Sequence, residues 1–222
     1  HRSSPIQIGS LNSWIQVSPN DAETCLAIRA ESGGGATLWA WGGNKNGEFG
    51  SGTTTPFSTP SIVGTSGPWL AGSTVTQVSS GLSFWLALTA GQDTSTGPLW
   101  SCGLNSSGQL GDNTTASKSA VTQVGALLNW RYICAGYTIS SSIKSDGTLW
   151  TWGTDSNGSL GQGISTSISS PVQVGLLTNW KKVVSGSSFS IATKTDGTLW
   201  GWGIGSKNGD GTNVNKSSPV QI

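Results

Sequence analysis

The chain has 222 residues and a formal net charge of +1, and only 9% of its residues are charged, against roughly 25% in an ordinary soluble domain. Eleven basic and ten acidic side chains leave no positive excess for a polyanion, which argues against nucleic-acid binding. No apolar run approaches the ~18 residues of a membrane span, and no signal-peptide pattern opens the chain, so we expect no membrane insertion.

The first predicted element, Ser-Pro-Ile-Gln-Ile-Gly at residues 4–9, recurs along the chain. It returns at residues 170–175, returns in weaker form at 59–64 and 120–125, and begins again at 218–222. A Leu-Trp pair keeps the same phase, with tryptophans at 39, 100, 150 and 200 in steps of 61, 50 and 50 residues. The chain is therefore predicted to be a single repeat region over residues 1–222. Its units are approximately 4–58, 59–119, 120–169 and 170–217, and 218–222 starts a fifth unit.

Each unit continues from its Leu-Trp pair with further shared residues. In chain order, a second aromatic or cysteine precedes glycine at Trp41-Gly42, Cys102-Gly103, Trp152-Gly153 and Trp202-Gly203. An Asn-x-x-Gly-x-Leu-Gly pattern follows at residues 105–111, with Asp in first position at 155–161 and Phe in place of Leu at 44–50. Several motifs that share one period define a structural repeat rather than a chance similarity.

The residues between these motifs have the chemistry of short β-strands. Residues 180–184 and 189–194 are rich in β-branched and aromatic side chains and are bounded by turn residues. Asp146-Gly147 and Asp196-Gly197 predict tight hairpins, because Asp-Gly is the preferred pair where both turn residues have positive φ. With the Ser-Pro-Val-Gln segment, each unit has about four strands. A four-stranded sheet repeated every ~50 residues is typical of a propeller blade.

Residues 195–203, Thr-Asp-Gly-Thr-Leu-Trp-Gly-Trp-Gly, together with residues 105–111, resemble the repeat of the regulator of chromosome condensation family. The resemblance covers nearly the whole chain. It implies an all-β fold, usually a seven-bladed β-propeller, and says little about function. The Trp-rich, Ser/Thr-rich style is similar to bacterial and phage members of the family.

The resemblance also raises a question of completeness. Seven units would need about 350 residues, so this chain holds about four blades and is expected to form an arc of a larger propeller. An arc leaves apolar blade faces and strand edges without neighbours. We therefore expect packing at one or both ends against further propeller repeats, of the same polypeptide or of neighbouring copies.

No catalytic, metal or cofactor site is predicted. The only histidine is His1, so neither a Ser-His-Asp arrangement nor a histidine metal site can be built. Most acidic residues lie beside Gly, Asn or Ser in predicted turns, and Asp146 and Asp196 have a structural role in their hairpins. A carboxylate pair for glycoside hydrolysis is retained as a distant alternative. No Walker A, dinucleotide or EF-hand pattern is present.

Cysteine and tryptophan positions favour packing roles. Cys25, Cys102 and Cys134 fall in predicted strands and are interpreted as buried thiols. The tryptophans in repeat phase are expected to fill the spaces between blades. Trp85 and Trp69 fall outside the pattern, and Trp69 lies in an insertion at residues 65–72. Pro68, Trp69 and Leu70 are therefore a candidate contact loop for a sugar, a peptide or a neighbouring subunit, with a loop anchored by its own Trp69 as the equal alternative.

Two classes of function remain. The first is a non-enzymatic structural or adhesive propeller, or an interaction propeller, on a virion, an extracellular fibre or a cell surface, where few charges and many hydroxyls suit a stable scaffold. The alternative, which the resemblance implies, is an intracellular regulatory propeller that binds a small GTPase or chromatin. A carbohydrate-active enzyme is a distant third. The expected partner is a protein, with a glycan as a further alternative.

Overall fold

The computed structural model describes residues 4, 7–20, 23–64, 74–91 and 95–222. They form four four-stranded antiparallel sheets and a one-turn 3-10 helix, Gly205–Lys207. The strands of the first and second sheets are β1 (Trp14–Pro19), β2 (Thr24–Ala30), β3 (Ala36–Gly42), β4 (Phe57–Ile62), β5 (Val75–Ser80), β6 (Phe84–Thr89), β7 (Leu99–Gly103) and β8 (Lys118–Gln123). Those of the third and fourth are β9 (Trp130–Ala135), β10 (Ile139–Lys144), β11 (Leu149–Gly153), β12 (Ile168–Gln173), β13 (Trp180–Ser185), β14 (Phe189–Lys194), β15 (Leu199–Gly203) and β16 (Lys216–Gln221).

Strand order follows chain order in every sheet, so each strand pairs with its successor in an antiparallel hairpin. The sheets also pack in chain order, and their first strands, β1, β5, β9 and β13, lie side by side. This arrangement confirms the prediction of an all-β chain with four four-stranded blades. Within the described ranges, no helix is long and apolar enough to cross a membrane.

The hairpins at Asp146-Gly147 and Asp196-Gly197 are confirmed, but the predicted turn type is wrong. Only the glycine of each pair has a positive φ, +78° at Gly147 and +86° at Gly197. The Gly147 amide donates to the Lys144 carbonyl at 3.0 Å. A turn closed by a glycine in the left-handed region is the longer hairpin connection with a bulge, and it needs no positive φ at the aspartate.

The apolar core lies between the sheets, in three clusters that each join two neighbouring sheets. Trp152 and Trp202 have no exposed surface, and Trp100 is also buried. The predicted packing role is thus confirmed for these tryptophans of the repeat phase. The other four tryptophans of the repeat phase, Trp39, Trp41, Trp150 and Trp200, are only half-buried.

The sheets are offset by one strand from the units read in the sequence. The later copies of the Ser-Pro-Val-Gln segment, in β4, β8, β12 and β16, are the fourth strands of their sheets and do not open the next unit. Residues 218–222, expected to begin a fifth unit, contribute to β16 and complete the fourth sheet through Trp200 pairing with Gln221. A sequence period fixes the length of a repeat but not where the sheet begins.

Candidate interaction faces

Every sheet has two broad faces, which we name by chain order. The leading face points toward the preceding sheet, and the trailing face points toward the following sheet. Between sheets, trailing and leading faces bury one another in the three core clusters. Among the described residues, no core cluster covers the leading face of the first sheet or the trailing face of the fourth, so these are the two end faces.

Val17 on β1 shows how open the first leading face is. Its side chain is 68% exposed, whereas Val78, Ile133 and Val183, at the same position of the next three sheets, are 2%, 1% and 1% exposed. Burying such a side chain is worth about 1.5–3 kcal/mol. The first sheet therefore exposes to water an apolar side chain that each of the other three sheets buries against the preceding sheet.

Leu199 on β15 shows the same for the last trailing face. It is 41% exposed, whereas the corresponding leucines of the first three sheets are 0% exposed. Those three are Leu38, Leu99 and Leu149. Val184, two strands away on β13 and lining the same depression, is 53% exposed. A contiguous apolar face on a soluble protein marks a surface that other molecules cover.

A third repeat position, the residue just after the Ser-Pro-Val-Gln segment, shows the same contrast in exposure. Val63, Val124 and Val174 are 0–2% exposed between sheets. The equivalent residues at the two ends, Ile8 and Ile222, are 53% and 44% exposed. Apolar side chains at one repeat position are thus buried wherever a neighbouring sheet exists and exposed where none does.

Polar side chains tie the first strand of one sheet to the first strand of the next. The Gln16 amide group donates to the Val78 carbonyl at 2.7 Å and accepts from the Val78 amide at 3.3 Å. Gln77 makes the same pair of bonds with Ile133, at 3.1 and 3.2 Å. Tyr132 occupies this position on the third sheet and Lys182 on the fourth, so the glutamine link joins the first sheet to the second and the second to the third.

The loops at residues 44–50, 105–111 and 155–161 contact the next sheet, and we call them docking loops. The carbonyl of the fifth loop residue accepts a tryptophan indole N–H: Glu48 from Trp85 at 2.6 Å, Gln109 from Trp152 at 2.9 Å and Ser159 from Trp202 at 2.9 Å. Just beyond each loop, a backbone amide reaches a serine carbonyl on the fourth strand of that sheet: Gly52 to Ser119, Asn113 to Ser169 and Gly163 to Ser217, at 2.7–2.8 Å.

The first residue of the docking loop holds its shape. The Asn105 side chain accepts from the Leu110 amide at 2.9 Å and donates to the carbonyls of Thr114 and Ala116 at 3.0 and 3.2 Å. Asn44 accepts in the same way from the Phe49 amide. One asparagine therefore satisfies several buried backbone groups that the irregular loop would otherwise leave unpaired.

Two glycines of the docking loop allow its backbone to approach the next sheet closely. Gly108 has a φ of +77°, and a Cβ there would lie 2.5 Å from the Cα of Ser169. Gly111 has a φ of +76°, and its Cβ would lie 2.7 Å from the Nε1 of Trp152. The Asn-x-x-Gly-x-Leu-Gly motif is thus a contact motif, shaped to lie against a neighbouring sheet.

The fourth sheet carries no docking loop. Residues 204–215 connect β15 to β16 with 12 residues, whereas the corresponding connections of the first three sheets, 43–56, 104–117 and 154–167, have 14. The 3-10 helix Gly205–Lys207 occupies part of this connection. No Asn-x-x-Gly-x-Leu-Gly sequence follows Gly203.

The leading face of the first sheet nevertheless has the residues that receive such a loop. Trp41 corresponds to Trp152 and is half-buried; among the described residues its indole N–H has no acceptor. Ser58 on β4 corresponds to Ser169 and is exposed. Cys25 pairs with Trp41 across β2 and β3.

The Asp-Gly-Thr-Leu-Trp motif serves each blade internally. The Asp146 carboxylate accepts from the Thr148 hydroxyl at 2.6 Å, and the Trp150 indole donates to the same hydroxyl at 2.8 Å. Hydrogen bonds from the Thr148 side chain and amide hold the pKa of Asp146 below its ordinary value. The prediction that Asp146 has a structural role in its hairpin is confirmed.

A buried lysine completes this arrangement. Lys144 is 6% exposed, and its ammonium lies 3.4 Å from the ring centroid of Trp150 and 4.9 Å from that of Trp130. Burial lowers the pKa of Lys144. Lys194 repeats the contact on the fourth sheet, 3.5 Å from the ring of Trp200. These charges stabilise blades and are not presented on a binding surface.

The three cysteines lie in strands, as predicted, and none forms a disulfide. Burial raises the pKa of Cys102 to about 12 and also raises the pKa values of Cys25 and Cys134. A thiol with a raised pKa is a poor nucleophile at neutral pH. Cys25 differs from Cys102 in lying half-buried on an end face.

Pro68, Trp69 and Leu70, the candidate contact loop, lie outside the described residues, as does His1. In the described part of the chain, no three His, Cys, Asp or Glu side chains gather to hold a metal ion. A cleft of about 300 Å³ lies where the turns after the four first strands meet. Among the described residues that line it, Tyr137 is the one with a titratable side chain.

Comparison with known proteins agrees with this geometry. The regulator of chromosome condensation (RCC1) repeat matches residues 146–193 and again residues 180–211. No curated protein matches the chain. Among solved structures, human WBSCR16 is 23% identical with a TM-score of 0.78, over 98% of this chain and 56% of its own.

Two yeast structures are similar to the same extent. RCC1 (Prp20) from yeast, bound to Kap60, is 21% identical with a TM-score of 0.79, over 100% of this chain and 51% of its own. Prp20p from Saccharomyces cerevisiae is 20% identical with a TM-score of 0.74, over 100% of this chain and 53% of its own. The chain spans about half the length of the solved structures it matches. Residues 146–211 are therefore RCC1 repeats, and the chain has the fold of the RCC1-like β-propellers.

Proposed function

We propose that this chain is a non-catalytic, protein-binding propeller whose end faces pack against further propeller repeats, of the same polypeptide or of neighbouring copies. The observation that carries the proposal is the exposure of Val17, 68%, at a position that is at most 2% exposed in the three following sheets. Leu199 supports it from the other end. Covering these faces would extend the packing already present between sheets.

The non-catalytic part of the proposal rests on the roles of the buried and turn carboxylates. Asp146 and Asp196 accept hydrogen bonds within their hairpins. Asp112 and Asp210 pair with Lys118 and Lys216 at 3.2 Å. Glu48, 1% exposed, accepts from the Asn46 amide inside a docking loop. Each of these carboxylates thus has a local structural partner, whereas a glycoside hydrolase needs two carboxylates that both face a substrate.

A regulatory setting is better supported than display on a surface. Yeast RCC1 (Prp20) is bound to Kap60 in one matched structure, and Prp20p is described with its binding to Gsp1p and histones in another. The intracellular alternative, with a protein partner such as a small GTPase or a chromatin protein and a cytoplasmic location, therefore has support from these matches. The extracellular, virion and adhesive roles expected from composition have none, and neither does a glycan ligand.

Sedimentation velocity over a range of concentrations tests the proposal, with the wild-type chain and a Val17→Asp/Leu199→Asp double variant. We expect the wild type to associate through its apolar end faces and to bind an apolar fluorescent dye while folded. The double variant should stay folded by circular dichroism, remain monomeric and lose dye binding. A wild type that is monomeric and dye-free throughout would show that the end faces are not interaction surfaces.

A further inference from the structure

We propose that the leading face of the first sheet is a receptor for the Asn-x-x-Gly-x-Leu-Gly docking loop of another propeller repeat. This inference rests on the proposed function and deepens it, because it names the part of the partner that the face recognises. Recognition of a shaped loop is more selective than apolar contact alone, since backbone groups on both sides must be paired.

The three internal contacts define what such a receptor needs. An indole N–H donates to the carbonyl of the fifth loop residue at 2.6–2.9 Å. A serine carbonyl on the fourth strand accepts an amide that follows the loop. A valine or isoleucine on the first strand is buried to 2% exposure or less. These three features recur in each contact although the residues around them differ.

The first sheet has all three features, and no docking loop of the described residues lies against it. Trp41 supplies the indole, Ser58 the serine on the fourth strand, and Val17 the apolar residue on the first strand. Cys25 stands beside Trp41 where Ser140 stands beside Trp152, and Ser140 also bonds to the docking loop, at 2.6 Å from the Gln109 carbonyl. The face therefore has the hydrogen-bond donors of an internal contact.

A second copy of the described chain has no free loop to offer. Its three docking loops are held by Trp85, Trp152 and Trp202 of the same chain, and the fourth sheet has the shorter connection 204–215. A second copy would cover the apolar part of the face but would leave the Trp41 indole without the loop carbonyl. The occupant is therefore a repeat whose own docking loop is unoccupied.

The half-buried thiol of Cys25 reports on coverage of this face. The test uses the full chain carrying Cys134→Ser, so that Cys25 is the reactive cysteine beside the buried Cys102. An extended protein has a further copy of residues 126–173, also carrying Cys134→Ser, joined ahead of Ile8. The added unit brings a free 155–161 loop next to the first sheet. The matched control carries Gly158→Ala in the added copy only, because a Cβ at Gly158 lies 2.4 Å from the Cα of the serine it contacts.

The rate at which Cys25 reacts with an aromatic disulfide reagent is the readout, and circular dichroism checks that each added sheet folds. We expect the extended protein to react at least about tenfold more slowly than the parent, as a face covered about nine-tenths of the time would. The Gly158→Ala extension should react at nearly the parent rate.

Three results would overturn the inference. Equal protection of Cys25 by both extensions would mean that the face binds a repeat whatever the conformation of its loop. The proposed function would then still hold. Protection of the unextended parent to the same degree at high concentration would mean that a second copy suffices. Full reactivity of both folded extensions would mean that the face does not receive the loop, and together with a monomeric wild type it would remove the proposed function as well.

Discussion

Trp85 on β6 pairs with Cys102 on β7, and the equivalent pair in the third sheet is Ser140 on β10 and Trp152 on β11. The large side chain is therefore on the second strand in one sheet and on the third strand in the other. The Trp85 indole, displaced by one strand, still donates to the carbonyl of the fifth residue of a docking loop, Glu48, at 2.6 Å. The second sheet thus keeps both the volume and the hydrogen bond of its neighbours with the two side chains exchanged.

This exchange predicts compensation between the two positions. Trp85→Ser alone should destabilise the chain by about 3–5 kcal/mol, because it leaves a large cavity in the core. Cys102→Trp alone should also destabilise, because it overpacks the same space. The double variant rebuilds the arrangement of the third sheet and should recover most of the loss. Denaturant titration of the four proteins measures the coupling, and simple addition of the two losses would contradict the exchange.

Packing between sheets is expected to dominate stability. Trp152→Ala and Trp202→Ala should each cost about 3–5 kcal/mol, the range for large buried aromatics. The control is Lys45→Ala, an exposed loop residue, which should be near neutral. Lys118 would be a less suitable control, because it lies in β8 and pairs with Asp112 at 3.2 Å. Equal losses in the free energy of unfolding in urea for the tryptophan and Lys45 substitutions would contradict a dominant role of packing between sheets.

The features encoded within one unit were predictable from sequence. Repeat length, four strands per sheet and the hairpin at Asp146-Gly147 all follow from local chemistry that recurs at a fixed period. The contact role of the Asn-x-x-Gly-x-Leu-Gly motif was not predictable, because Gln109 and its donor Trp152 are 43 residues apart. Trp85 fell outside the pattern for a similar reason, since its compensating partner Cys102 is on another strand.

The hydrogen bond from Thr148 to Asp146 makes a pH-dependent prediction. Because the folded pKa of Asp146 is lowered from 3.8, its contribution to stability is fully present above that value and is lost as the pH falls through the lower, folded pKa. Thr148→Val removes the hydroxyl, so the Asp146 pKa should rise toward 3.8, and stability should fall by about 1 kcal/mol at neutral pH. Carboxyl NMR titration measures this, with Asp196 as the unchanged control. An unshifted Asp146 would contradict the assignment.

The buried lysines predict a pH dependence of the same sign at high pH. Burial lowers the pKa of Lys144, so the charged form is disfavoured in the folded state relative to the unfolded chain. The free energy of unfolding attributable to Lys144 should therefore rise as the pH increases from the folded toward the unfolded pKa. Comparison of the wild type with Lys144→Met across this range isolates the effect. A wild type that loses stability relative to the variant on the same rise in pH would show that the two indoles outweigh desolvation.

The exposure of the end faces is tested most directly by one substitution placed at two equivalent positions. Val17→Asp puts a carboxylate on the open leading face of the first sheet, and Val78→Asp puts it between the first and second sheets, where the valine is 2% exposed. Unfolding of the monomeric chain in denaturant should change by at most about 0.5 kcal/mol for Val17→Asp. Val78→Asp should lose about 3–5 kcal/mol, because it buries an unpaired charge. Equal losses would contradict the account, because they would mean that the first leading face is already covered within this chain.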